Sequence, residues 1–134
     1  MKLVTLAVLG IGATLSYKAL AQTASDLSGA YVGPGQSCEE MFVSRKGKAS
    51  FKEPRNAFSS ALLVRGKTVS TPMASCRIGR SSSENGVITL DLNCTNMMSS
   101  HGLKAYFSRR DDGGLVRLSG PNETSGDSYQ RCNL

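Results

Sequence analysis

Two cysteines, Cys76 and Cys94, close the stretch CRIGRSSSENGVITLDLNC, and the bond between them constrains the whole chain. The middle of that stretch reads as a turn. Taking Glu84, Asn85 and Gly86 as a three-residue hairpin loop, with Gly86 supplying the left-handed backbone such loops need, Ser83 faces Val87. The same register sets Ser82 opposite Ile88, Arg80 opposite Leu90, Ile78 opposite Leu92 and Cys76 opposite Cys94 on one face. The other face holds Arg77 with Asn93, Gly79 with Asp91 and Ser81 with Thr89. Side chains alternate along a strand, so a slip of one residue would exchange the apolar face for the polar one. Opposed residues have Cβ atoms roughly 4.5–5.5 Å apart, within reach of a disulfide after small adjustment.

The four cysteines are Cys38, Cys76, Cys94 and Cys132. None lie two to four residues apart, as zinc ligands usually do, and there is no CxxC redox pair, so a disulfide framework is the reading that fits. Pairing Cys76 with Cys94 leaves Cys38 with Cys132, a bridge that ties the start of the domain to its last strand. Disulfides persist in oxidising compartments. The amino terminus agrees: Lys2, an apolar run of 13 residues from Leu3 to Leu15, and Ala19 and Ala21 in the small positions read as a signal peptide over 1–21. The run is too short to span a bilayer. An exported chain, periplasmic or extracellular, is expected, with residues 22–28 as a flexible lead-in and 29–134 as one domain. Without Lys2 and Lys18 the chain has 14 basic residues against 10 acidic ones, a modest excess that suits anionic partners and equally suits a soluble surface.

Turn signals recur along the rest of the chain. Arg65 and Gly66 as a two-residue loop set Leu62 opposite Val69, and Asp112 with Gly113 sets Phe107 opposite Leu118. Further β-rich runs are GAYVG from Gly29, CEEMFVS from Cys38, ASF from Ala49 and SYQRC from Ser128. About eight strands at regular spacing, with no helix in the mature part, predict an all-β fold: a small antiparallel up-and-down barrel closed by the terminal bridge. Gly29-Ala30-Tyr31 resembles the G-x-W opening of lipocalin-type barrels, with Tyr31 at the tryptophan position. In size and bridge count the chain is also similar to small-barrel inhibitors of lysozymes and proteases. These resemblances imply a fold and no particular activity.

Candidate chemistry is sparse. His101, with Met97 and Met98, has the ligand types of a soft copper site at unspecific spacing, and no metal or other cofactor is expected. Glu39 or Glu40 with His101 and arginines could serve a nuclease, but nothing in the spacing brings them together, and no nucleophile elbow for serine chemistry is present. Alternation turns Glu40 toward the core if Cys38 points inward; the simpler expectation sets it in water at the barrel mouth. Arg45, Lys46, Lys48, Lys52 and Arg55 cluster around Phe51 with Glu53 as the one acid, a pattern that can hold an anionic polymer and equally a solvated strand edge. Asn93 and Asn122 begin glycosylation sequons. The expected function is a monomeric, non-enzymatic module that binds an envelope polymer or an exported protein through loops, with no specific nucleic-acid role. A secreted hydrolase of anionic polymers is the alternative. Loops at 96–102 and 120–128 are the next place to look.

Overall fold

A computed structural model of the protein describes residues 27–96 and 98–134. In chain order the elements are β1 (Gly29–Val32), α1 (Cys38–Met41), β2 (Phe42–Arg45), β3 (Lys48–Phe51), β4 (Ala61–Arg65), β5 (Thr68–Ser70), β6 (Ser75–Glu84), β7 (Val87–Thr95), β8 (Ser100–Arg109), β9 (Leu115–Leu118) and β10 (Asp127–Cys132). Eight strands close a barrel in the order β1-β10-β9-β8-β7-β6-β5-β4, and β2 and β3 form a separate hairpin. All neighbours are antiparallel, and β1 is separated from β4 along the chain only by α1 and that hairpin. The chain is therefore an up-and-down barrel with one insertion. The expected signal peptide, and residues 22–26 of the lead-in, lie outside the described residues. Leu27, at the end of that lead-in, is fully buried.

The disulfides are Cys38–Cys132 and Cys76–Cys94. In the β6–β7 hairpin Cys76 faces Cys94 and Ile78 faces Leu92, as expected, but the rest of the register differs. Arg80 faces Asp91, Ser81 faces Leu90, Ser83 faces Ile88 and Glu84 pairs with Val87, with a bulge between Ile78 and Arg80. The physical reason is the turn: Asn85 and Gly86 both adopt left-handed backbone, φ 51 and 77, so the loop has two residues rather than three. The bulge at Gly79 absorbs the extra residue and keeps the sulfurs opposed. Two other registers are also corrected. Val64, not Leu62, faces Val69, because the turn sits at Gly66 and Lys67. Tyr106, not Phe107, faces Leu118, because residues 110–114 form a longer loop in which Arg110 N donates to Gly114 O at 2.9 Å.

The run from Cys38 is not a continuous strand. Ser37 and Glu40 have capping-box spacing, and the Ser37 hydroxyl accepts from Glu40 N at 3.3 Å, so Cys38–Met41 forms one helical turn before β2 begins. Glu40 is exposed on that turn.

Alternation divides the core in two. Inside the barrel Tyr31, Ile88, Leu90, Phe107, Leu115 and Tyr129 lead one buried cluster, and an eight-stranded barrel has an interior just wide enough for side chains to fill. Outside the wall, Ala30, Val32, Ala61 and Cys132 are covered by Met41, Phe42 and Phe51 from α1 and the hairpin. Phe42 and Phe51 stack with centroids 5.1 Å apart, and burying each contributes about 1.5–3 kcal/mol. The Cys38–Cys132 bridge thus clamps the insertion onto the last strand.

Candidate functional site

In an up-and-down barrel alternate connections share one end. The turns at 66–67, 85–86 and 110–114 lie at one end; the connections 33–60, 71–74, 96–99 and 119–126 lie at the other. That second end carries three exposed apolar side chains: Phe58 at 92% exposure, Met98 at 94% and Met73 at 52%.

Each of the three stands on a loop pinned by a polar side chain two residues earlier. Asn56 Oδ1 accepts from Phe58 N at 3.1 Å, and Ser59 N donates to Asn56 O at 3.1 Å. Asn96 Oδ1 accepts from Met98 N at 2.8 Å and Ser99 N at 2.9 Å, while Asn96 N donates to Ser99 O. Thr71 Oγ1 accepts from Ala74 N at 3.0 Å, closing the turn that holds Met73, and the neighbouring Pro72 is buried. Short Asn and Thr side chains bond the nearby backbone in this way and fix tight turns. The spacings Asn-x-Phe, Thr-x-Met and Asn-x-Met were the signal in the sequence that its reading missed.

The basic run is split by the fold. Arg45, Lys46 and Lys48 surround the tip of the β2–β3 hairpin, where Arg45 pairs with Lys48, and all are exposed. Lys52 and Arg55 lie at the hairpin's base and make local bonds: Lys52 Nζ donates to Glu39 O, Arg55 Nε meets Glu53 Oε1 at 2.8 Å, and the Arg55 guanidinium lies 5.1 Å from the Phe51 ring centroid. The structure brings three of the five together and gives the other two different work.

Glu39 and Glu40 belong to α1, which lies against β1 and β2, whereas His101 is on β8, with β9 and β10 between β8 and β1 in the wall. The fold does not assemble them. Among the described residues no three His, Cys, Asp or Glu side chains converge as a metal site. His101 and Met98 are exposed, and Met97 lies outside the described residues.

The opposite end is closed. The Tyr31 hydroxyl donates to Leu27 O at 2.7 Å and accepts from Arg131 Nη1 at 3.3 Å, with the Arg131 guanidinium 5.7 Å from the ring centroid. Burial pushes the phenol above its ordinary value of 10.0, against the opposing pull of the Arg131 and Arg109 charges. On the outer face Lys104 Nζ meets Asp91 Oδ1 at 2.7 Å, and that hydrogen bond and charge raise the Lys104 value.

Compared with protein-family models, curated proteins and solved structures, the chain matches none.

Proposed function

We propose that the protein is a non-enzymatic binding module of an oxidising, exported compartment, periplasmic or extracellular, that grips a protein partner with the pinned loop end of its barrel. The observation that carries this reading is the triad Phe58, Met73 and Met98, each presented to solvent by an ordered turn. Exposed aromatic and methionine side chains on loops at one end of a barrel have the composition of interface cores. Loops already fixed in place lose little conformational entropy on binding. The bridged barrel behind them is the rigid support, and side chains fill its interior.

The test is a comparison of the full chain with a Phe58→Ser, Met73→Ser, Met98→Ser variant, both immobilised and exposed to exported-protein extract. The parent should retain a protein that the variant releases, while the melting temperature stays the same because all three side chains are exposed. Zymograms against RNA and peptidoglycan should stay blank; clearing by the parent would instead support the hydrolase reading.

A second reading rests on the hairpin tip, where Arg45, Lys46 and Lys48 crowd without an acidic neighbour from Ser44 to Lys52. Such a tip suits an anionic polymer, and affinity there should fall with salt in proportion to the phosphates contacted, with a slope near −0.7 per contact on a single strand.

A further inference from the structure

The barrel wall has a gap on the loop end, and its geometry specifies an occupant. β8 runs ten residues, Ser100–Arg109, but β9 has four and pairs only with Tyr106–Arg109. From Ser100 to Ala105, β8 has a barrel neighbour on one side alone, β7. Where this free edge meets the end of β9 is a notch of about 450 Å³, lined by Lys104, Ala105, Tyr106, Leu118, Ser119 and Asp127 among others.

The direction of the unpaired groups follows from the register. Arg110 N donates across the loop to Gly114 O, so Arg110 points its backbone toward β9. Backbone direction alternates along a strand, which turns Ser108 and Tyr106 toward β9 as well, and Lys104, Gly102 and Ser100 to the open side beyond the end of β9. Their N–H and C=O groups have no backbone partner among the described residues. The edge lacks the usual defences. Gly102 has no side chain to bar approach, and the Lys104 ammonium, which could repel an incoming strand, is held by Asp91 on the outer face.

We infer that this free edge is a strand-addition site, which takes an extended segment of the partner protein as a further strand on β8 between Ser100 and Ala105. Only an extended backbone presents donors and acceptors at the spacing of alternate residues along β8. Ser100, His101, Gly102, Leu103 and Lys104 are all exposed, so an incoming strand meets an open edge. The inference rests on the reading of the chain as a binder of proteins. It adds that Met98, at the head of β8, and the edge behind it engage the same partner, side chain by side chain and backbone by backbone.

The probe is a fluorescein-labelled nine-residue peptide of alternating threonine and valine, with a second version N-methylated at alternate residues. Anisotropy with the full chain should show saturable binding of the first and at least a tenfold weaker affinity for the second. Gly102→Pro removes an outward N–H without touching the β7 ladder and should weaken the first peptide tenfold or more, whereas Gly102→Ala, whose Cβ would meet nothing closer than Leu92 O at 3.8 Å, should bind as the parent does. Bound peptide should slow amide exchange at Gly102 and Lys104. Absence of binding, equal affinity for both peptides, or unchanged exchange at those amides under saturation would overturn the inference. So would a concentration-dependent dimer of the parent that Gly102→Pro abolishes, since the occupant would then be a second copy. Binding of the natural partner that survives Gly102→Pro but is lost with Phe58→Ser and Met98→Ser would overturn strand addition alone and leave the loop reading standing; the reverse pattern would do the opposite. The N-methylated peptide decides the matter on the parent even if the proline variant does not fold.

Discussion

Removing the two bridges in turn should affect stability unequally. Cys38–Cys132 spans 94 residues of sequence and Cys76–Cys94 spans 18. In the chain-entropy description, closing such loops in the unfolded chain stabilises the fold by about 4.7 and about 3.2 kcal/mol, so the terminal bridge should contribute about 1.5 kcal/mol more. Packing losses do not reverse the order. Cys76, Cys94 and Cys132 are comparably buried, and Cys38 is only partly so. The terminal bridge also holds α1 and the β2–β3 hairpin over Ala30, Val32 and Ala61, so its loss loosens the outer cluster, whereas β6 and β7 stay joined by their ladder and turn. The assay is urea unfolding of paired Cys→Ala variants with thermal melts alongside. At roughly 4–8 °C per kcal/mol for a domain of this size, the Cys38/Cys132 variant should melt roughly 6–12 °C below the Cys76/Cys94 variant. Equal midpoints, or a lower one for Cys76/Cys94, would refute the role given to the terminal clamp.

Three further outcomes follow from single positions. Tyr31→Phe removes the donor to a buried carbonyl at Leu27 and should cost about 1–2 kcal/mol in urea unfolding. The folded-state pKa of Tyr31 lies above the unfolded value, so the folded protein holds that proton more tightly; the corresponding stability is fully present below about pH 10 and is lost as pH rises through the folded value. Urea midpoints should therefore fall as pH rises above about 10 in the parent and fall less in Tyr31→Phe. Gly86→Ala forces a Cβ into backbone of φ 77 and should cost about 1–2 kcal/mol, while Asn85→Gly should be nearly neutral.

The fold was legible where independent signals agreed. Cys76 and Cys94 sit opposite each other because the apolar alternation of β7, Ile88-Leu90-Leu92-Cys94, admits one facing. The remaining bridge then followed by elimination. Registers near turns were less legible, since Asn85-Gly86 closes equally well as two residues or as part of three, and only a bulge, which the chain marks with nothing but Gly79, decides between them. The helical turn at Cys38 was marked by Ser37 and Glu40 but looked like a strand because Met41-Phe42-Val43 continues as one. The apolar triad was missed for a different reason. Exposure is a property of the fold, and Phe58, Met73 and Met98 are indistinguishable from core residues until the loops that carry them are seen to lie beyond the strands.

The claim that the loop end is the working surface is tested most directly by photo-crosslinking. A benzophenone side chain at position 58, at position 98 or, as a far-end control, in place of Glu84 beside the β6–β7 turn, would be irradiated in exported-protein extract and the adducts resolved by mass. The account predicts one shared partner protein captured from positions 58 and 98 and none from position 84. Capture from position 84 alone, or the same mixture from all three, would contradict it.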